Sequence, residues 1–308
     1  MKTNRVIKIF LASSEELEAD RYRFGNLIRK LDNIYEKRGI RIELFEWEDY
    51  DAAYNGMRKQ DEYNERVRAS DMFLALFHKK AGKFTIEEFN IARKAFDEQA
   101  SPKIYTYIKD LEAGESESRE LAEFKRLMLE ELGHYWCRYS NFDTMQLHFV
   151  LQLQMVEATT PIKVEVKESQ VKIGDSTIAD LNNVPFTSEN TTHKELKSRK
   201  EQLDREIGNA ESGGRRGFFG QRSRTTDEEL ANLRAERESV TEQIERQEKA
   251  LVDTAMSIAR MQGGECSSRM RTAAELFEKG ETGKAEAVLK EDDMEADATN
   301  AKLKFDTA

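Results

Sequence analysis

The sequence predicts an α/β protein with a five-stranded parallel sheet, followed by a small β-hairpin and a mostly helical C-terminal region. Short apolar runs alternate with segments of helical periodicity as far as about residue 158. Strands that alternate with helices form parallel sheets covered by helices on both faces. After that point the composition changes, first to alternating Val/Ile pairs and then to long charged segments. We therefore expect an α/β domain at 1–158, a linker with a hairpin at 159–188, a helical hairpin at 189–260 and a short helical segment at 261–308.

Five short apolar segments predict the strands of the sheet. They are residues 5–12, 40–47, 71–77, 103–108 and 134–139. The third, DMFLALF, is the most apolar, so we expect it at the centre of the sheet. The intervening segments predict helices at 15–38, 63–70, 85–98 and 121–132, and a fifth helix at 142–156. We assume the strand order 2-1-3-4-5, which is the flavodoxin-like arrangement.

The C-terminal half predicts paired helices. Residues 161–187 alternate apolar and polar positions around Gly174 and Asp175, which indicates a hairpin. Apolar residues then recur at intervals of three, four or seven on two arms separated by GGRRGFFGQRSR: Leu196, Leu203 and Ile207 on the first, and Leu230, Leu233, Val240, Ile244 and Leu251 on the second. This spacing predicts an antiparallel coiled coil. The segment AAELFEKGETGKAEAVLK predicts two further helices that meet at Gly280.

Composition excludes several classes of function. The net charge of -10 over 308 residues argues against a nucleic-acid-binding surface. No apolar run approaches about 18 residues, so we expect no membrane span, and the N-terminus lacks the pattern of a secretory signal. Two distant cysteines, Cys137 and Cys266, fit a reducing cytoplasm. Four histidines without CxxC or HxxxH spacing indicate no metal site.

Polar and aromatic residues cluster at one predicted edge of the sheet. With the assumed strand order, the loops after strands 1 and 3 face the same crevice, where ligands of such sheets bind. The first loop contains Ser13 and Ser14, which can bond sugar hydroxyls, and the second contains Lys79, which can attract an anionic dinucleotide. Phe84 and Trp47 offer aromatic walls for a planar base. The site would then accept a nucleotide-like ligand.

Two carboxylates, Glu87 and Glu88, begin the helix after strand 3. Cleavage of an N-glycosidic bond passes through a cation-like transition state, which a carboxylate stabilises. A structural explanation competes for Glu88, because Thr85-x-x-Glu88 has the spacing of a capping box. Ser13 and Ser14 can likewise act as helix caps, while Phe84 and Trp47 can belong to the core. These alternatives stay open at the level of the sequence.

The strings IKIFLASSEE, DMFLALFHKKAGKFTIEEF and KIYTYIKD together resemble bacterial TIR domains and TIR-like relatives over about residues 4–157. The family has an aromatic residue four positions before a glutamate, which corresponds to Phe84 and Glu88. The resemblance implies that Glu88 is catalytic, and its strand-1 pattern adds Phe10 to the substrate-binding residues Ser13, Ser14, Trp47, Phe84 and Lys79. Family members often cleave NAD+ at the nicotinamide–ribose bond, and some cyclise the ADP-ribose product.

The resemblance therefore implies an NAD+ glycohydrolase or ADP-ribosyl cyclase of bacterial antiphage defence, activated by self-association through the TIR-like and coiled-coil regions. NAD+ would be its substrate, and no separate cofactor is expected. The C-terminal AxxLFExGxxxxAxxVL pattern resembles a tetratricopeptide-like repeat and implies a protein partner there. Two alternatives remain: a non-catalytic scaffold for protein assembly, and an enzyme similar to nucleoside deoxyribosyltransferases.

Overall fold

The chain folds into two compact units, residues 1–146 and 147–308. The computed structural model describes residues 5–46, 59–132, 134, 136–156, 162–213, 227–262 and 268–288. The division between the units falls inside a helix, whereas the sequence placed a domain boundary after that helix.

A five-stranded sheet forms the framework of the first unit. Its strands are β1 (Arg5–Ser13), β2 (Ile40–Phe45), β3 (Met72–Phe77), β4 (Lys103–Lys109) and β5 (Trp136–Tyr139). Every neighbouring pair is parallel, and the order is β2-β1-β3-β4-β5. The central strand β3 is buried along its whole length. The predicted α/β fold and strand order are thus confirmed.

Helices cover this sheet, because successive strand residues point to opposite faces and both faces are apolar. The helices of this unit are α1 (Glu18–Glu36), α2 (Lys59–Arg68), α3 (Lys83–Gln99) and α4 (Arg119–Glu130), and a 3₁₀ turn at Glu15–Leu17 precedes α1. A further helix, α5 (Phe142–Val156), begins in this unit and continues into the second. Phe73, Ala75 and Phe77 of β3 join one core cluster with residues of α2, α3 and α4. The alternate residues Leu74 and Leu76 are fully buried on the opposite side.

Aromatic packing fixes α3 against the sheet. The ring of Phe89 meets Phe124 of α4 edge to face, with centroids 5.0 Å apart, and it meets Phe73 of β3 in a similar geometry at 6.5 Å. Phe10 of β1 stacks on Phe73 at 5.8 Å. Such aromatic pairs add to the burial energy and restrict orientation. They give the helix after β3 a defined position beside the sheet.

After the end of α5, the second unit contains a small antiparallel sheet of three strands: β6 (Val164–Lys167), β7 (Gln170–Ile173) and β8 (Ser176–Asp180). The predicted hairpin corresponds to β7 and β8, which turn at Gly174 with a φ of +56°. The sequence did not predict the additional strand β6. A two-residue turn at Glu168 and Ser169 joins β6 to β7.

The other described elements of this unit are helices. Its helices are α6 (Pro185–Ser188), α7 (Thr191–Gly213), α8 (Asp227–Gln262) and α9 (Ser268–Glu278), and residues 282–288 are helical as well. The arms α7 and α8 pack together through buried Leu203, Val240 and Ile244. Arg199 pairs with Glu236 across the arms at 2.5 Å. The predicted pairing of the two arms is therefore observed, while the glycine-rich segment 214–226 lies outside the described residues.

The predicted turn at Gly280 is also present between α9 and the helical residues 282–288. Gly280 has a φ of +78°, and a Cβ atom there would come within 2.8 Å of the Glu189 backbone. Only glycine fits this position without displacement of the backbone. None of the helices in the described part of the chain has the length and apolar character that crossing a bilayer requires.

Candidate functional site

The carboxyl ends of β1 and β3 bring the two predicted loops together. Ser13, the last residue of β1, is the register partner of Leu76 in β3. The residues that follow each strand therefore emerge side by side, at the edge where open parallel sheets bind ligands.

Arg21 organises the loop after β1. Its Nη1 donates to Ser13 Oγ at 2.8 Å and to the main-chain oxygen of Ser14 at 2.9 Å. Arg21 lies in α1 and is almost fully buried. A buried guanidinium that bonds two neighbouring oxygens restricts their positions. The predicted hydroxyl of Ser13 is thus present at the edge, and an arginine that the sequence analysis missed holds it there.

Glu16 connects the loops after β1 and β3. Its Oε1 accepts hydrogen bonds from the main-chain N–H groups of Lys79 and Lys80, at 3.0 and 3.1 Å. The Ser14 hydroxyl donates to the same oxygen at 3.3 Å. Ser14 occupies the N-cap position of the 3₁₀ turn, but its side chain makes this contact instead of a cap bond. One exposed carboxylate therefore gathers donors from two loops.

The loop after β3 is also tied to the loop after β4. The Lys79 ammonium forms an ion pair with Glu115, and Lys79 O accepts a 2.7 Å bond from Ser118 N. Lys79 holds the pKa of Glu115 below its usual range, and Glu115 in turn raises the pKa of Lys79. His78 Nε2 lies 3.3 Å from Glu115 Oε2 without forming a hydrogen bond. The Lys79 charge is thus shared with a protein carboxylate.

Glu88 lies in α3 with 7% of its surface exposed. The helix begins at Lys83 with Gly82 as its N-cap, and its first helical bond runs from Ile86 N to Gly82 O. Thr85 is the third residue of the helix and Glu88 the sixth. The capping-box interpretation was therefore wrong, because that motif needs the threonine at the N-cap. At 1.5 Å per residue, Glu88 lies about 8 Å along the helix from its first residue.

The predicted aromatic residues have different surroundings. Phe84, in the first turn of α3, is 57% exposed and so offers its ring to solvent at the edge. Phe10 is 1% exposed and belongs to the core under the sheet edge, where it stacks on Phe73. Trp47 lies outside the described residues. Of the two predicted aromatic residues that the structure describes, Phe84 is therefore the one with an exposed ring.

A second polar cluster, absent from the sequence analysis, lies at the same edge. The buried carboxylate of Asp20 in α1 accepts bonds from Lys109 Nζ and from the Tyr139 hydroxyl, each at 2.9 Å. Burial and the neighbouring Asp20 charge raise the pKa of Tyr139. Asp20 and Arg21 occupy the buried stripe of α1 between Leu17 and Phe24. Two charges at positions where helical periodicity expects apolar residues were the signal that could have revealed them.

Among the residues that the structure describes, no group of three or more His, Cys, Asp or Glu side chains is arranged to hold a metal ion. The arrangement at the edge offers carboxylates, hydroxyls, an exposed ring and main-chain donors, which are groups suited to a sugar and an anionic substituent. Comparisons with protein-family models, with curated proteins and with solved structures found no match to this chain.

Proposed function

We propose that the chain cleaves NAD+ at the bond between nicotinamide and ribose, at the carboxyl edge of the parallel sheet. One observation carries the proposal: Glu88 is a buried carboxylate in the helix after β3, and helix capping does not account for it. Burying a carboxylate reduces stability unless its contacts compensate, and stabilisation of transition-state charge is a role that a carboxylate in this position can fill.

The proposed reaction needs little beyond electrostatic stabilisation. The C1′–N bond breaks and its electron pair passes to the nicotinamide ring, which becomes neutral as it leaves. The ribosyl cation that remains is stabilised by the carboxylate of Glu88. The oxygen of a water molecule then bonds to C1′ and releases a proton, which gives ADP-ribose. A nucleophile of the same ADP-ribosyl group would give a cyclic product instead.

Other edge residues support substrate binding. Arg21 fixes the Ser13 hydroxyl and the Ser14 main chain at the end of β1, so a Ser13 hydroxyl bonded to a ribose oxygen would lose little further freedom. The exposed ring of Phe84 offers a face to one of the two bases. These placements are consistent with a dinucleotide that extends along the edge.

The test is nicotinamide release from NAD+ by the wild type and by Glu88→Gln, which keeps the size of the side chain and removes its charge. We expect the rate to fall about a hundredfold or more, the effect typical of losing one group that stabilises transition-state charge. Glu87→Gln is the matched control, because Glu87 immediately precedes Glu88 in the same helix. The Glu87 carboxylate has a protein partner, since Asn64 donates to it at 3.3 Å.

The Glu87→Gln protein should release nicotinamide at a rate within about threefold of the wild type, because solvent screens a partly exposed charge. Equal rates for wild type and Glu88→Gln, with both proteins folded by circular dichroism, would remove Glu88 from the mechanism. Parallel incubation with free deoxynucleosides separates NAD+ cleavage from deoxyribosyl transfer. Absence of turnover with every substrate would leave the scaffold alternative.

A further inference from the structure

Three hydrogen-bond donors from two loops converge on one oxygen of Glu16. They are the main-chain N–H groups of Lys79 and Lys80 and the hydroxyl of Ser14, at 3.0, 3.1 and 3.3 Å from Oε1. Consecutive main-chain N–H groups that point at one acceptor form a concave anion site, which proteins use to bind phosphate. The carboxylate oxygen of Glu16 therefore stands where an oxygen of an external anion can bind.

Contacts that do not involve Glu16 hold these donors in place. The Lys79 carbonyl is bonded to Ser118 N, and the Lys79 side chain is paired with Glu115. On the other loop, Arg21 holds the main-chain oxygen of Ser14. The main chain that carries these donors would thus keep its position if Glu16 moved away, and preorganised donors favour ligand binding.

The Glu16 carboxylate can be displaced. Glu16 is exposed, and its bonds to Lys79 and Lys80 lie at the surface. An exposed charged contact contributes little free energy, because water and salt screen it. A phosphate group brings several acceptor oxygens and full negative charge to the same donors, and the exposed Lys80 side chain adds a nearby positive charge.

We propose that the Ser14, Lys79 and Lys80 donors bind a phosphate group of a diphosphate-bearing nucleotide, and that Glu16 competes with this phosphate for them. The inference rests on the proposed function, because it assigns the phosphates of the dinucleotide to a place beside the ribose-binding edge. Glu16 thereby lowers affinity for the substrate and for any product that keeps the diphosphate.

The test measures binding instead of turnover. ADP-ribose is titrated by calorimetry into the Glu88→Gln protein, with and without Glu16→Gln. We expect Glu16→Gln to lower the Kd about threefold to fivefold, the range set by loss of one exposed charged competitor. Addition of Ser14→Ala should reverse much of that gain. Inorganic pyrophosphate should show the same dependence, whereas nicotinamide riboside, which has no phosphate, should not.

Glu15→Gln is the matched control, since Glu15 is an exposed carboxylate in the same 3₁₀ turn. An equal gain from Glu15→Gln, an equal gain with nicotinamide riboside, or an unchanged Kd in folded Glu16→Gln would each overturn the phosphate site. Its failure is distinguishable from failure of the proposed function. If wild type releases no nicotinamide but Glu16→Gln still tightens ADP-ribose binding, the phosphate site stands and the hydrolysis does not.

Discussion

At the scale of single residues, burial controls the chemistry of His134, which precedes β5. Its ring lies 5.7 Å from the Phe89 ring, and its Nε2 is 3.0 Å from the buried Thr106 hydroxyl. Burial lowers the pKa of His134 to about 4. An ordinary histidine has a pKa near 6.5, so the unfolded chain takes up this proton at a higher pH than the folded protein does.

This difference predicts an acid-dependent loss of stability. The unfolded state binds more protons between about pH 6.5 and pH 4, so the contribution of neutral His134 is complete above pH 6.5 and is lost as the pH falls to about 4. The loss should reach about 3 kcal/mol. Urea unfolding is measured across this range for wild type and His134→Gln. The difference between the two proteins isolates the contribution of His134, because their remaining titratable groups are the same. Parallel stability curves for the two proteins would contradict the prediction.

The sequence predicted the positions of those site residues that directly follow an apolar strand. It predicted less well the residues whose positions depend on contacts made by helices. Ser13 and Lys79 lie at the predicted edge because the strands before them are strongly apolar. The start of α3 at Lys83 was missed, since Gly82 carries no side chain to mark a cap. Glu16 and Arg21 were missed because their partners are distant in sequence or in the main chain.

At the scale of elements, the β6–β7 turn carries local strain. Glu168 and Ser169 both have left-handed backbone angles, with φ of 53° and 58°. A two-residue hairpin turn with two positive φ angles favours Asn-Gly. The sequence offered neither residue, so this turn and the strand before it were not predicted. Hydrogen bonds of the Ser169 hydroxyl compensate for the backbone strain. This hydroxyl donates to the buried Glu248 carboxylate of α8 at 2.7 Å and accepts a bond from Lys197 Nζ at 2.5 Å.

Substitutions at these two positions should have opposite effects. Glu168 is exposed, so Glu168→Asn relieves part of a left-handed backbone cost of about 1–2 kcal/mol per residue and should raise stability. Ser169→Gly relieves strain too, but it removes a hydrogen bond to a buried charge worth about 1.5–3 kcal/mol, so the net effect should be destabilising. Thermal and urea unfolding of both variants measure the signs. A stabilised Ser169→Gly protein would show that the Glu248 contact contributes little.

At the scale of the whole molecule, we propose that the activity depends on protein concentration. The resemblance to TIR domains implies self-association, and the net charge of -10 opposes the approach of two copies. Salt at about 0.15 M shortens the range of this repulsion to about 8 Å. We therefore expect the specific rate of nicotinamide release to rise with protein concentration, and the rise to begin at lower concentration when salt is added.

The measurement is a dilution series at two ionic strengths, with sedimentation velocity on the same samples. Salt has a second effect that must be controlled for, because screening also weakens attraction between NAD+ and the lysines at the sheet edge. Saturating NAD+ removes this second effect. At saturating NAD+ and saturating protein concentration, salt should therefore leave the rate unchanged, while at low protein concentration salt should increase it. A specific rate that stays constant on dilution, with the monomer as the single sedimenting species throughout, would show that one copy of the chain is sufficient for activity.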